Sequence, residues 1–393
     1  MDLRTEVAPQ IEDPGQVELA ATPPAEQRTE ANLLARLKAL RERHRKKEML
    51  LFFLGGFCFD LLLVERIDSS LMLIHQGSYL VLLSALLVVD HHYHHHQSTP
   101  SAGFWAKVLH FRHEMIHFLF GTLLNAFLVF YFKASSGVVA FGFMLALGAV
   151  LVANEMPRFR RLGPPMRVAL HGFALTSYLA YLLPQIAGFL SPYLFVLAAC
   201  ASAAVSYVLW RVSSKWTPNP GWTFGRAVVP SLAVQGFLLL LYFLHVVPPV
   251  PLSLKWIGIY HQAQREGDRV RVAHQRPWWR IWEHGDEIFL ARPGDRVFCV
   301  VRIFAPRKFR DGVKIRWAYE DSKAGWVRTD AIPLTITGGQ DEGWRGIAYK
   351  RNFAPGRWKV QVETEDEREV GSIRFAVVED RGTEPRNLIE ELR

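Results

Sequence analysis

Cysteine is nearly absent from this chain of 393 residues, which contains only Cys58, Cys200 and Cys299. The first two fall in apolar stretches and leave Cys299 alone in the polar C-terminal part, which excludes a disulfide-stapled fold. The sequence also lacks a phosphate loop, a Gly-x-Gly-x-x-Gly turn after a strand, a His-Glu-x-x-His helix and a Gly-x-Ser-x-Gly elbow. The enzyme classes that depend on those motifs are therefore not expected.

Charged residues are scarce in a long central part of the chain. From Met49 to Lys255, 207 residues carry 12 Lys or Arg and 6 Asp or Glu, whereas the 138 residues from Trp256 to Arg393 carry 25 and 22. This split excludes a simple soluble enzyme, a fibre and a wholly disordered chain. It predicts a membrane part followed by a water-soluble part. Of the net charge of +9, the membrane part contributes 12 − 6 = +6, so the excess indicates membrane topology rather than nucleic-acid binding.

Several apolar stretches approach the length of a membrane-spanning helix, which needs about 20 mostly apolar residues. The template fits seven times: Met49 to Val64, Leu71 to Val89, Phe118 to Phe132, Val138 to Val152, Val168 to Leu190, Tyr193 to Leu209 and Ala227 to Val247.

The basic residues in the loops predict the orientation of these spans. The loops after the first, third and fifth spans contain only Arg66 and Lys133. The loops after the second, fourth and sixth spans contain nine: Lys107, Arg112, Arg158, Arg160, Arg161, Arg167, Arg211, Lys215 and Arg226. Because basic loops stay in the cytoplasm, the N-terminus is predicted inside and, after seven crossings, the C-terminal domain outside. The long charged segment before the first span argues against a cleaved signal peptide.

Composition divides the chain into six segments. The first is polar, rich in proline and without apolar periodicity, as in disordered tails. The second is a basic amphipathic helix for an anionic membrane surface, or alternatively a plain topogenic charge cluster. The predicted segments are a disordered tail (1–31), the basic helix (32–48), a transmembrane bundle (49–247), a stiff proline linker (248–255), a soluble β domain (256–380) and a C-terminal tail (381–393).

The soluble part shows the alternation of apolar and polar residues that is typical of strands. Clear runs are Arg296 to Phe304, Val313 to Tyr319, Trp358 to Val362 and Ile373 to Val377, with weaker ones at 287–291, 332–336 and 344–349. Turn signals such as Pro293-Gly294-Asp295 separate them. About seven short strands without a long helix predict an antiparallel sandwich of immunoglobulin-like size.

Several motifs in this β domain resemble those of a bacterial family, domain-of-unknown-function family 2914. The membrane part is similar to the polytopic region that often precedes that domain, in GFCFDLLLVERIDS, HEMIHFLFGTLLNAFLVFYFKASS and PPVPLSLKWIGIYH. The resemblance implies a bacterial membrane protein of this architecture and assigns no activity. The motifs of the β domain are Pro293-Gly294-Asp295, Phe304-Ala305-Pro306, Arg316-Trp317, Ile336-Thr337-Gly338-Gly339, Trp344-Arg345-Gly346, Pro355-Gly356-Arg357-Trp358 and Arg374-Phe375.

Eight histidines lie within 27 residues, in and after the second predicted loop. Imidazole is the commonest side-chain ligand of transition metals, and the spacing also resembles fragments of the histidine boxes of membrane di-iron desaturases. Those enzymes spread their boxes over two membrane regions, unlike this chain. The alternatives are regulatory or adventitious metal binding, or a polar loop in water and headgroups. The candidate metal ligands are His91, His94, His95, His113 and His117.

Four polar residues lie inside or at the ends of predicted spans, where ionisable groups are costly and often functional. Asp60, His75 and His245 fall near the outer ends of the first, second and seventh spans. They suggest a proton relay or ion site, or else groups that reach water at the interface, with Asp60 paired to Arg66. Asn125, in the third span, is expected to bridge helices by a hydrogen bond.

The β domain contains an aromatic and a basic candidate site. Trp278, Trp279 and Trp282 suggest a contact with the outer leaflet, a platform for sugar rings, or core packing. The basic residues suggest an anionic ligand, or a solvated face neutralised by the acidic run 363–369. They are Arg302, Arg307, Lys308 and Arg310, with Lys314 and Arg316 nearby.

Together these observations predict a bacterial inner-membrane protein that presents an extracytoplasmic β-sandwich. The sandwich is expected to bind a cell-envelope protein or polysaccharide without catalysis and without a cofactor, while the bundle anchors it in the lipid bilayer. Nucleic acid is not an expected partner, and the sequence does not determine the oligomeric state. The competing hypotheses are a membrane metalloenzyme or metal/proton transporter that uses the histidine-rich loop, and a structural subunit of a larger envelope complex.

Overall fold

The computed structural model describes residues 70–96, 109–135, 137–155, 163–216, 220–280, 282–339 and 342–393. These residues lie in one compact unit. The predicted disordered tail, the basic helix and the first span with Asp60 fall outside the described residues.

The N-terminal part of the described chain is helical. Helix boundaries follow local signals: Ser191 accepts a hydrogen bond from the backbone N–H of Tyr193 in front of Pro192, and Gly188 ends the preceding helix with φ 83°. The helices are α1 Ser70–His96, α2 Arg112–Ala134, α3 Gly137–Glu155, α4 Pro164–Ala187, α5 Pro192–Ser213, a 3₁₀ turn Ser214–Trp216, α6 Pro220–Ala227 and α7 Val229–Phe243.

Four helical segments are long and apolar enough to cross a membrane, by length and composition: Leu71–Tyr93, Arg112–Ala134, Pro192–Trp216 and Phe224–Phe243. A shorter apolar segment, Phe141–Ala153, covers most of the fourth predicted span. The fifth predicted span coincides with α4, which is not among the four. The described residues therefore support a membrane protein with four candidate spans.

Helix α4 is less apolar than the four candidate spans, and it packs among the other helices. It contacts α1, α2, α5 and α7. It buries His171, Thr176 and Ser177 together with Leu170 and Ala174. A helix surrounded by other helices contacts protein rather than lipid, so it can carry polar side chains that form hydrogen bonds within the bundle.

The C-terminal part is made of strands. All seven predicted strands are confirmed, as β4 to β10, and four more segments of the chain also form strands. The strands are β1 Ser253–Tyr260, β2 Gln262–Glu266, β3 Arg269–His274, β4 Ile288–Ala291, β5 Val297–Phe304, β6 Arg310–Asp321, β7 Gly325–Thr337, β8 Trp344–Lys350, β9 Gly356–Thr364, β10 Glu369–Glu379 and β11 Ile389–Leu392.

These strands form three sheets, with the orders β1-β5-β8, β4-β10-β9-β6-β7 and β11-β3-β2. The pairing is antiparallel except between β10 and β4, which run parallel with Ala376 opposite Ile288. One hydrophobic core draws Ile259 and Val301 from the first sheet and Ile315 and Trp317 from the second. The C-terminal region is thus built of antiparallel-rich sheets around a shared core.

Two segments next to the predicted β domain take part in its packing. Most of the expected proline linker is buried, including Val250 and Leu252, and β1 begins at Ser253. The expected C-terminal tail contains β11, whose Ile389 pairs with His274 of β3. Apolar side chains in the first segment and an available strand edge in the second favour ordered packing over a free spacer or tail.

The β domain contacts one end of the helical bundle directly. The backbone N–H of Arg310 donates to the carbonyl of Gly188 at 2.7 Å, and the N–H of Leu190 donates to Asp311 Oδ2 at 2.7 Å. Gly188 allows this approach, because a Cβ there would lie 2.7 Å from the carbonyl oxygen of Lys308. The N-terminus of α4 lies at the opposite end, about 36 Å away for a helix of 24 residues.

A second contact ties the β domain to the end of α7. The Arg368 guanidinium donates to the carbonyls of Tyr242 at 2.9 Å and Val247 at 3.4 Å. It also lies 3.3 Å from the centre of the Tyr242 ring and pairs with Asp366 at 2.7 Å. A buried, fully engaged arginine thus fixes the β domain on the helix end.

Candidate functional site

The β domain exposes three tryptophans close together in the chain. Trp278 is 82% exposed, Trp279 51% and Trp282 67%. The core-packing alternative for these residues is therefore wrong. Exposed tryptophan is unusual because the indole ring gains much free energy from burial, and we refer to these three residues as the tryptophan surface.

Hydrogen bonds hold the chain around the tryptophan surface in place. The buried Arg276 donates to Glu391 Oε1 of β11 at 3.0 Å and to the carbonyl of Arg280. Arg280 pairs with Glu283 at 3.2 Å, and its guanidinium lies 5.0 Å from the centre of the Trp279 ring. The Trp279 and Trp282 rings meet edge to face at 6.2 Å. The tryptophans are thus presented on an anchored segment, which reduces the entropy cost of binding a partner.

A cluster of buried ionisable groups lies behind this segment. His261 Nε2 lies 3.7 Å from Asp286 Oδ2, and His274 Nε2 lies 3.2 Å from Glu391 Oε1. The His261 ring stacks on Phe289 at 4.1 Å. The sequence analysis missed this cluster because its members come from the ends of β1, β3 and β11 and from a loop, with no shared spacing.

Burial sets the protonation of the cluster. It lowers the pKa of His261 to about 4, with a further lowering from Arg386. Burial raises the pKa of Asp286 to about 7, against the backbone N–H groups of Gln275 and Arg276, which lower it. Burial also lowers the pKa of His274, although its hydrogen bond to Glu391 raises it in part. The imidazoles are therefore neutral at neutral pH, and Asp286 is close to its midpoint.

The basic candidate residues of the β domain separate into two groups. Arg302 on β5 pairs with Glu342 at 3.6 Å, and Arg316 on β6 pairs with Glu363 at 2.6 Å. The acidic run neutralises Arg316, as the solvated-face interpretation expects. Arg307, Lys308 and Arg310 have exposed side chains beside the α4–α5 connection. An anionic ligand at the exposed basic residues stays a prediction.

The histidine-rich stretch is only partly described. His91 and His113 line a cavity beside Asp90, with His113 Nδ1 3.5 Å from Asp90 Oδ1. His117 is half-buried on α2, and the side chains of His94 and His95 lie outside the described residues. Among the described side chains, no three His, Cys, Asp or Glu residues come together as metal ligands. A metal site that includes the remaining histidines stays a prediction.

The structure describes three of the four polar residues in the predicted spans, His75, Asn125 and His245. His75 is exposed, and its ring lies 4.1 Å from that of Tyr79 with the planes tilted by 51°. His245 is exposed in the turn after α7 with φ 57°. No hydrogen bond or ion pair joins these two described histidines. Asn125 is half-buried on α2. The proposed grouping with Asp60 stays a prediction.

Comparisons with known proteins add a family assignment for one region. No curated protein matches this chain. Two solved structures align at 10% identity: a β-glucosidase from Kluyveromyces marxianus, TM-score 0.17, over 37% of this chain and 16% of that chain, and the alkylpurine DNA glycosylase AlkC from Pseudomonas fluorescens, TM-score 0.18, over 76% and 96%. Such low scores carry no argument about fold or function. Residues 311–377, from β6 to β10, match the family model "Protein of unknown function (DUF2914)", which confirms the resemblance found in the C-terminal region.

Proposed function

We propose that this chain is a multi-pass protein of the bacterial inner membrane whose C-terminal domain lies outside the cytoplasm and binds an envelope component, protein or polysaccharide. The tryptophan surface is the observation that carries the proposal. Three exposed indoles on an anchored segment form an apolar patch, and such patches are typical of binding surfaces.

The proposed topology has seven spans: one at 49–64, then α1, α2, α3, α4, α5 and the α6–α7 segment. The interior position of α4 explains its low hydropathy. The charges agree with this topology. Apart from Arg66, which follows the first span, the loops at the β-domain end contain one basic residue, Lys133. Arg112, Arg167, Arg211 and Lys215 lie at the other end, which favours a cytoplasmic position for that end.

The proposed β domain is an immunoglobulin-like sandwich with additions. Its first two sheets share one core, as the two sheets of such a sandwich do. The parallel β4–β10 pair and the additional sheet β11-β3-β2 depart from the simple pattern. The additional sheet supplies Glu391, which anchors Arg276 beside the tryptophan surface. The additional sheet therefore helps to hold the tryptophan surface in position.

The chemistry of the tryptophan surface suits a ligand with flat apolar faces and polar edges. Sugar rings and the side chains of a partner protein both fit this description. Arg280 beside Trp279 adds a hydrogen-bond donor for a hydroxyl or carboxylate group of the ligand. No reactive group is required, and the proposed role is binding without catalysis.

The test compares ligand binding by a double variant of the tryptophan surface with binding by a control variant at a tryptophan elsewhere in the β domain, both in the full chain. The variant Trp278→Ala/Trp282→Ala should lose affinity for soluble peptidoglycan fragments or for a captured envelope protein by about 30-fold or more, as expected for buried tryptophan contacts. Trp326, a half-buried tryptophan of β7 in contact with Arg374, provides the control Trp326→Ala, which should bind normally. Undiminished binding by the double variant, with both variants folded, would refute the proposed surface.

A further inference from the structure

The helical bundle contains a cavity of about 470 Å³ at the end away from the β domain. Its volume lies within the range of about 300–1,000 Å³ that is common for small-molecule sites. Apolar side chains such as Leu87, Val168 and Leu209 form part of its wall, and its charged lining residues are Asp90, Arg167 and Arg226. The cavity is therefore large enough for a small ligand with an apolar and a charged portion.

At the charged part of the cavity, two arginines share one aspartate. Asp90 accepts a hydrogen bond from Arg112 Nε at 2.8 Å and another from Arg167 Nη1 at 2.6 Å. All three side chains are mostly buried. Among the described residues, Asp90 therefore faces two guanidinium groups where solvent screening is weak, while Glu114, whose charge also acts on His113, is exposed to solvent. Charges in such places are favourable only when they are paired.

Arg167 has donors to spare for a ligand. Its guanidinium offers five N–H donors, and the structure gives it one acceptor, Asp90 Oδ2. Arg112 is more fully used, because its Nη1 also donates to the carbonyl of Leu109 at 2.7 Å. His113 lines the same cavity, with its Nδ1 3.5 Å from Asp90 Oδ1. The remaining donors of Arg167 thus lie beside the Asp90 carboxylate.

Polar side chains at the inner part of the cavity form hydrogen bonds with one another. Ser206 Oγ lies 2.8 Å from Ser231 Oγ, and His171 Nε2 lies 2.8 Å from Ser84 Oγ. These mutual hydrogen bonds satisfy the polar atoms involved, so they do not require a ligand. The anionic group of a ligand belongs at Arg167, and its remainder belongs against the apolar wall.

We propose that this cavity binds an anion with a phosphate group, held by Arg167 next to Asp90. Guanidinium groups bind phosphate through paired hydrogen bonds. A phosphate group offers at least three acceptor oxygens to the remaining N–H donors of Arg167, whereas a carboxylate offers two. The phosphate belongs either to a lipid headgroup or to a soluble phosphate ester, and the two sources share this recognition chemistry.

Two probes distinguish the sources. The delipidated full chain in detergent is titrated with glycerol 3-phosphate by calorimetry and with phosphatidylglycerol by native mass spectrometry. Binding of the lipid alone assigns a headgroup site, and binding of the soluble ester assigns a metabolite site. Failure of both probes to bind with a dissociation constant below about 1 mM overturns the proposal.

Matched variants locate the binding. Arg167→Gln should weaken binding of the active probe by about tenfold to 100-fold, the effect of losing a charged hydrogen bond. Arg211→Gln makes the same charge change at the same end of the bundle, on an exposed residue outside the cavity, and should leave affinity within about twofold. Equal losses in both variants would show unspecific attraction and overturn the site.

A third variant tests the same site if the Arg167→Gln protein does not fold, because it should change affinity in the opposite direction. Asp90→Asn removes the carboxylate that competes with the anion for the two arginines. It should therefore tighten binding of the active probe, by several-fold or more. Unchanged or weaker binding in a folded Asp90→Asn protein would contradict the proposed location of the phosphate.

Discussion

Replacing His261 with Gln should make the β domain less stable, relative to the wild-type domain, as the pH rises from about pH 4.5 to about pH 6.5, because the opposing contributions of His261 and Asp286 nearly cancel in the wild-type domain. Burial raises the pKa of Asp286 to about 7, so the folded domain keeps a proton that the unfolded chain releases near pH 4. This group stabilises the fold at low pH, and its contribution is lost as the pH rises through about 7.

The contribution of His261 has the opposite sign. Burial lowers its pKa to about 4, so the folded domain excludes a proton that the unfolded imidazole takes up below about pH 6.5. Its contribution is present at high pH and is lost as the pH falls. In the wild-type protein the pair holds one proton in either state over this window, whichever of the two side chains carries it.

The structure gives the size of the effect once one partner is removed. Each group alone changes the free energy of unfolding by about 2 kcal/mol between about pH 4.5 and about pH 6.5, or about 30-fold in an opening constant. The His261→Gln variant should lose this stability as the pH rises. The Asp286→Asn variant should gain a similar amount over the same interval.

Cys299 provides the assay, because its thiol is fully buried in the core of the β domain. Its labelling by a disulfide reagent that reacts at acid pH requires the domain to open. Replacing Cys58 and Cys200 with Ser removes competing thiols. At each pH, the ratio of the labelling rates of variant and parent cancels the intrinsic reactivity and yields the difference in opening free energy. A ratio that stays constant with pH in both variants would refute the pKa assignments.

Two further predictions concern single contacts. Arg368→Gln should raise hydrogen exchange of the segment after α7, because the carbonyl of Tyr242 then loses a charged hydrogen bond that contributes about 1.5–3 kcal/mol; unchanged exchange would show that the β domain is held without this contact. Gly285→Ala should speed the labelling of Cys299 by at least about tenfold, because a Cβ there would clash with the backbone of Ile259. Gly236→Ala, where nothing lies within 4 Å of the added Cβ, is the control and should leave labelling unchanged.

Strand alternation in the sequence identified β5, β6, β9 and β10 most clearly. It missed β1 because both faces of this strand are covered. Ile257 and Ile259 point into the main core, while Trp256 and Tyr260 pack on Val270 under the additional sheet. Apolar side chains on both faces of β1 therefore hide the alternation of apolar and polar residues there. The polar strands β2 and β11 gave no signal for the opposite reason, because few of their side chains are buried.

The candidate sites differed in how much the sequence could predict. The short spacing of Trp278, Trp279 and Trp282 made them visible, and the structure decided between packing and exposure. His261 and Asp286 are 25 positions apart and belong to no motif, so only the fold brings them together. Asp90 was likewise missed, because its importance comes from Arg112 and Arg167, which approach it from two other helices.

The location of the β domain outside the cytoplasm is the claim on which the proposed function depends. Single cysteines introduced into a protein without Cys58 and Cys200 test it with a membrane-impermeant maleimide on spheroplasts. Ser322 is exposed in the turn between β6 and β7, and Lys215 is exposed after α5 at the opposite end of the bundle. The account predicts that the Ser322→Cys protein is labelled on intact spheroplasts and the Lys215→Cys protein only after permeabilisation. The reverse pattern would place the β domain in the cytoplasm and contradict an envelope ligand.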